Sequence, residues 1–257
     1  MLQVRNADDK AQLIAQAARD AVEVLSEIQT SGGGVHGDGT PRLVLTGGSV
    51  GIAVLEELLR LNEAARLEGE DDGANADNTP VVDWSNVHIF FGDERNVDKD
   101  DPESNEGQAR TALLEPVGVP EENIHGCAVP TEDVQTTAAE YAGIVAENAP
   151  RGFDLHLMGM GPEGHINSLF PHSAATAAKG HLTVGVTDSP KPPAERISLT
   201  FKAIARAQRV WLLVAGEEKA EAAQRVIDGA KTLDCPAAGV PEATDAVLYL
   251  AADASQT

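Results

Sequence analysis

The chain has 257 residues, 42% of them hydrophobic, with 19 lysines and arginines against 41 aspartates and glutamates. Such a length and apolar content suffice for a buried core, and an α/β chain of this size is expected to form a single domain over 1-257. The formal net charge of -22 argues against nucleic acid or an anionic membrane as partner. A small phosphate ester remains open, because local donor geometry outweighs distant, screened charge. No run of about 18 uncharged apolar residues occurs, and the opening MLQVRNADDK lacks the basic-then-apolar pattern of an export signal. A cytoplasmic protein is therefore expected. Cys127 and Cys235 fit neither a metal-ligand spacing nor a disulfide framework and are read as inert.

In chain order, Leu13, Ile14, Ala17, Ala21, Val24, Leu25 and Ile28 recur at helical spacing, with Asp8 upstream as an N-cap. The glycine-rich Ser31 to Gly39 separates this helix from a short strand, Leu43 to Leu45. Thr46-Gly47-Gly48-Ser49 then leads into a helical pattern through Val54, Leu55, Leu58 and Leu59. The acidic stretch Glu68 to Asp77 has no periodicity and is expected to be an exposed loop within the domain. Strands are expected at Val87 to Phe91 and Phe153 to Met158, and helices at Ser104 to Leu114 and Glu132 to Ala146. Beyond them come strands at Thr183 to Val186 and Val210 to Val214, a helix from Glu217 to Ile227 and a last strand near Ala246 to Leu250. Alternation of this kind predicts an α/β fold: a mostly parallel sheet with helices on both faces in a Rossmann-like three-layer arrangement. Ligands of such sheets bind at the carboxyl ends of the strands, where the unusual loops of this sequence fall.

Three of those loops carry chemistry. In the first, Gly47, Gly48 and Ser49 bring backbone N–H groups and a helix N-terminus together, which suits a phosphate or else a purely structural turn. In the second, Gly92-Asp93-Glu94-Arg95 places two carboxylates and a guanidinium just past a buried strand, where they must be paired or face a polar cleft. Arg95 is the member suited to holding phosphate or carboxylate through its planar fork. The third runs from Gly159 through Met160, Gly161, Pro162, Glu163 and Gly164 to His165, and continues to Pro171. Its glycines present an imidazole at a strand end, and a helix start beneath His165 would keep that ring neutral and able to accept a proton. His36, His88, His125, His156, His172 and His181 have no such framing and are read as structural or surface residues. No histidine pair has metal-ligand spacing, so no metal is expected.

Together, Thr46 to Ser49, Gly92 to Arg95 with Ser104-Asn105, and Gly159 to Pro171 resemble the signature of the 6-phosphogluconolactonase family. Pro190 to Pro193 with Arg196 and Ser198-Leu199-Thr200, and then Gly216 to Lys219, are similar to its C-terminal segments. The resemblance implies cytoplasmic hydrolysis of 6-phospho-D-glucono-1,5-lactone to 6-phosphogluconate in the pentose phosphate pathway, without a cofactor. It implies His165 as general base, with Asp93 and Glu163 as candidates to orient the ring. Arg95 and Arg196 would be the positive positions around the substrate. The implied partner is a small-molecule phosphorylated sugar lactone, bound by a monomer or weak homo-oligomer. Two departures stand out: Val50-Gly51 replaces a Thr-Pro, and Glu163 stands where an Asp is common. The related glucosamine-6-phosphate deaminases place a carboxylate shortly after the histidine, whereas Ser168-Leu169-Phe170-Pro171 has none. A non-catalytic sugar-phosphate sensor on the same fold is the reading from outside the enzymes.

Overall fold

The computed structural model describes residues 2–70, 80–240 and 245–255. Ten strands occur among them: β1 (Gln3–Ala7), β2 (Arg42–Leu45), β3 (His88–Phe91), β4 (Asp93–Arg95), β5 (Ile124–His125), β6 (Phe153–Gly159), β7 (Thr183–Val186), β8 (Arg196–Leu199), β9 (Ala207–Val214) and β10 (Asp245–Ala251). Seven form one sheet in the order β1-β10-β9-β6-β2-β3-β5, and every pairing in it is parallel. Side chains alternate across a strand, so Leu43 and Leu45 enter the core on one face while Val44 enters the core on the other. Helices α1 (Lys10–Ser31) and α2 (Gly48–Glu70) bury Leu13, Leu25, Val54 and Leu58 on the first face. On the opposite face, α3 (Val134–Asn148) and α4 (Ala220–Ile227) bury Ala138, Tyr141, Ala223 and Val226. The three-layer α/β architecture expected from the alternation is the one observed.

The order of the strands creates the position of the site. From β2 the chain passes through α2 to β3 on one side, whereas from β6 it proceeds to β9 on the other. The loops leaving β2 and β6 therefore diverge from adjacent strands and open a crevice at their carboxyl ends, as a reversal of strand order does in open α/β sheets. The Thr46 hydroxyl bridges the two strand ends by accepting from the backbone N–H of Gly159 at 3.2 Å.

Several local expectations need correction. Asp9, not Asp8, caps α1, accepting from the Gln12 backbone N–H at 2.8 Å. The acidic stretch begins inside α2, which continues to Glu70, and its remainder to Asp77 lies outside the described residues. Thr183–Val186 does not extend the parallel sheet: it pairs antiparallel with β8, which in turn pairs antiparallel with β4, giving a separate sheet in the order β4-β8-β7. The helix expected from Ser104 starts one residue later, with the Ser104 hydroxyl accepting from Gly107 N–H, and widens to a π-helical turn over Arg110–Leu114. The edge strand β1 escaped the sequence reading because four of its five residues are exposed, leaving no apolar run to see.

Candidate active site

The crevice is a cleft of about 240 Å³. Gly47, Gly48 and Ser49 line it from the start of α2, and Asp93 and Arg95 from β4. His165 and Asn167 project from the loop after β6, Arg196 from β8, and Lys191 and Lys219 from the loops before β8 and after β9. Four cations thus face one carboxylate in a chain whose net charge is -22. The first turn of α2 adds free backbone N–H groups and its positive dipole end, and Lys10 reaches Ser49 Oγ with its Nζ at 3.5 Å.

The small antiparallel sheet sets the arginines. Its register places Arg95 directly opposite Arg196, a like-charge pair that repels across strands unless anions stand by. Asp93 Oδ2 lies 3.9 Å from Arg196, while Arg95 reaches Asn105 Oδ1 at 3.0 Å and Glu103 Oε2 at 3.4 Å. Arg196 is also tethered to the carbonyls of Lys191 and Pro193 at 3.0 and 3.1 Å. Burial pushes the Arg196 pKa below its ordinary value; Asp93 opposes the shift and Arg95 adds to it. For Lys219, burial is again the main cause of a lowered pKa, opposed by Glu218 and reinforced by Lys10 and Lys191.

The two carboxylates after β3 do separate jobs. Glu94 is buried and accepts from the backbone N–H groups of Asn105 and Glu106 at 2.8 and 2.7 Å, closing the start of the next helix. Its burial raises its pKa, although those N–H donors pull the other way. Asp93 accepts from Ser168 Oγ at 2.6 Å and from Asn105 Nδ2 at 3.2 Å, tying β4 to the loop that carries His165. Asp93 therefore contacts Ser168 and Asn105, not the imidazole.

Glu163 is the carboxylate beside the ring, with Oε2 3.2 Å from His165 Nδ1. Lys191 Nζ sits 3.2 Å from its Oε1. Burial alone would raise the Glu163 pKa, but the contact with His165 and the charge of Lys191 outweigh it and hold the group at about 2. The contact is one of charge proximity, since Nδ1 makes no hydrogen bond within the protein; a ring proton is favoured on Nδ1 beside the ionised Glu163, which leaves the lone pair of the imidazole on Nε2. The ring is stacked on Phe170 with centroids 4.3 Å apart. It also lies so close to Gly161 that a Cβ there would fall 2.0 Å from Nδ1; only glycine admits this approach. One expectation fails: no helix begins at His165, since the next one starts at Ala174. Glu163, Phe170 and Gly161 hold the ring in place of a helix dipole.

The structure brings together every residue singled out from the sequence, Glu163 by contact with His165 and the rest by lining the cleft. Lys191, Lys219, Asn105 and Asn167 fall within the segments that carry the resemblance, but sequence reasoning gave none of them an individual place in the lining. Lys219 carried a usable signal, because it follows the end of a parallel strand just as Gly47 and His165 do. Among the described residues, no group of three or more His, Cys, Asp and Glu side chains is placed to hold a metal ion. No helix there is long and apolar enough to cross a membrane.

A family model described as glucosamine-6-phosphate isomerases/6-phosphogluconolactonase matches residues 8–249. The chain belongs to this family. Its relatives include 6-phosphogluconolactonase of Mycobacterium leprae, 45% identical over 206 residues, covering 77% of this chain and 76% of that one. The 6-phosphogluconolactonase of Mycobacterium tuberculosis is 42% identical over 233 residues, covering 87% of each chain. The crystal structure of 6-phosphogluconolactonase from Thermotoga maritima superposes with a TM-score of 0.79 at 21% identity, covering 98% of this chain and 100% of the other. At that identity the last comparison speaks for the fold. All the loops of the cleft lie within the matched residues.

Proposed function

We propose that the protein hydrolyses 6-phospho-D-glucono-1,5-lactone to 6-phosphogluconate. The observation that carries this reading is the concentration of Arg95, Lys191, Arg196 and Lys219 around the N-terminus of α2 and one framed imidazole, in an otherwise strongly acidic protein. The relatives at 42–45% identity bear the same activity in their names. The phosphate is held by the backbone of Gly47 to Ser49 with the surrounding cations, several convergent donors being needed for one dianion. His165 Nε2 removes a proton from water as its oxygen attacks the lactone carbonyl. The ring C–O bond then breaks, and the departing alkoxide takes up a proton to give the open hydroxy acid. General-base help of this sort contributes about 10²- to 10⁴-fold. Glu163 keeps Nδ1 protonated and the ring oriented, and Asp93 positions the loop through Ser168. This chemistry asks for no cofactor, and the protein's other partners are neither nucleic acid nor membrane.

The test is hydrolysis of freshly prepared 6-phosphogluconolactone, measured as proton release above the spontaneous background, in parallel with ammonia release from glucosamine 6-phosphate. Lactone hydrolysis without ammonia release is expected. Ammonia release would make the protein a deaminase; tight product binding without turnover would make it a sensor.

A further inference from the structure

Asn167 is only 7% exposed, yet neither its Nδ2 nor its Oδ1 has a hydrogen-bond partner within the protein. A buried amide left unpaired costs about 1–3 kcal/mol, and this one lines the cleft two residues from His165. Its backbone is in the left-handed region, with φ of 48°, a conformation that asparagine tolerates better than most residues.

Behind it lies His156, fully buried in β6, whose two ring nitrogens are also without partners. Burial pushes its pKa down to about 3, opposed only in part by the Asn167 amide, so the ring is neutral and has one N–H to give. The two side chains meet at Gly92: a Cβ there would lie 2.5 Å from Asn167 Oδ1 and 3.0 Å from His156 Nε2. If His156 carries its proton on Nε2 and Oδ1 takes it across Gly92, Nδ2 is the donor the amide has left for a ligand.

We infer that Asn167 donates from Nδ2 to the lactone carbonyl oxygen as it becomes an oxyanion, with His156 as a positioning residue behind it. The inference rests on lactone hydrolysis being the reaction. The cations nearest His165 are already engaged, Lys191 with Glu163 at 3.2 Å and Arg196 with the Lys191 and Pro193 carbonyls at 3.0 and 3.1 Å, whereas Asn167 supplies a neutral donor without a partner from the same loop as His165. A fixed neutral donor suits a charge that exists only in the transition state, because it stabilises the oxyanion without gripping the ground-state carbonyl equally.

The clean deletion is Asn167→Gly, which removes the amide and keeps the left-handed backbone free of strain. It should lower kcat by about 10²- to 10³-fold, the usual loss for one oxyanion donor, with KM and product affinity little changed. Asn167→Asp tolerates the same backbone and has the same shape, but presents an anion; it should be at least as slow as the glycine variant. Melting temperatures and product binding establish that each variant is folded and keeps its phosphate site. A folded glycine variant with wild-type kcat would overturn the inference, as would an aspartate variant that retains wild-type kcat, since a carboxylate there serves a substrate hydroxyl and not an oxyanion. If the wild-type protein itself fails to hydrolyse the lactone, the functional reading fails first, and the two failures are distinguished.

Discussion

The seven-stranded sheet carries a polar cluster at each end, and they differ in one respect. At the amino ends of the strands, Asp154 accepts from the backbone N–H groups of Val35 and Arg42 at 2.6 and 2.8 Å. There too, Arg42 pairs with Asp38 at 2.7 Å, His36 Nε2 lies 3.0 Å from the Gly152 carbonyl, and His88 and His125 share one contact of 2.9 Å. Those groups satisfy one another. At the carboxyl ends, the cations outnumber the carboxylates of the cleft, and the Asn167 amide is buried without a partner. Histidines and charges occur at both ends; donor capacity left over is what marks a binding site, because a satisfied cluster has nothing to offer a ligand.

The contrast can be broken or sharpened experimentally. Its largest consequence concerns substrate: with two or three charge-assisted contacts to the phosphate, each worth about 1.5–3 kcal/mol, kcat/KM for unphosphorylated gluconolactone should fall about 10³-fold or more. Comparable steady-state values for the two lactones would place the cations elsewhere in the mechanism. Next, Lys219→Ala should raise KM about 10- to 100-fold and move kcat little, as initial rates against lactone concentration will report; a kcat loss at unchanged KM would assign Lys219 to the chemical step. At the opposite end, Asp154→Ala should cost about 2–3 kcal/mol in denaturant unfolding by stranding one buried and one part-buried N–H group, while kcat of the folded enzyme stays within about twofold. Loss of activity ahead of stability would show that the two ends are coupled.

A further consequence is one of pH. The unfolded chain protonates His156 near its ordinary value of 6.5, whereas the folded protein resists until about 3. Below pH 6.5 the unfolded state therefore binds more protons, and stability declines as the pH falls toward 3. His125, held near 4 by burial and by His88, works in the same direction. Urea midpoints between pH 7 and 4 should fall steadily, and His156→Gln should flatten the slope.

Much of the fold could be read in advance because the parallel strands are short, continuous apolar runs and the helices keep a clear spacing. The small antiparallel sheet could not, since β4 is Asp-Glu-Arg, a sequence that looks like a solvated turn. Its backbone is in fact paired with β8, with Asp93 and Glu94 buried against Ser168, Asn105 and Glu106. The His165 loop was legible in its glycines and histidine, but its local form was not. A helix was expected beneath His165, and the ring is held instead by contacts with Glu163, Phe170 and Gly161. Asn167 was invisible for a different reason: polar residues abound in loops, and only its burial without partners separates it from them.

The most direct test of the account is single-turnover hydrolysis of 6-phosphogluconolactone by His165→Ala, with binding of 6-phosphogluconate measured on the same preparation. The variant should fold, bind product with near-normal affinity and lose about 10²- to 10⁴-fold in rate. A folded, product-binding variant that turns over the lactone at nearly the wild-type rate would show that His165 is not the base, and would contradict the mechanism proposed for this cleft.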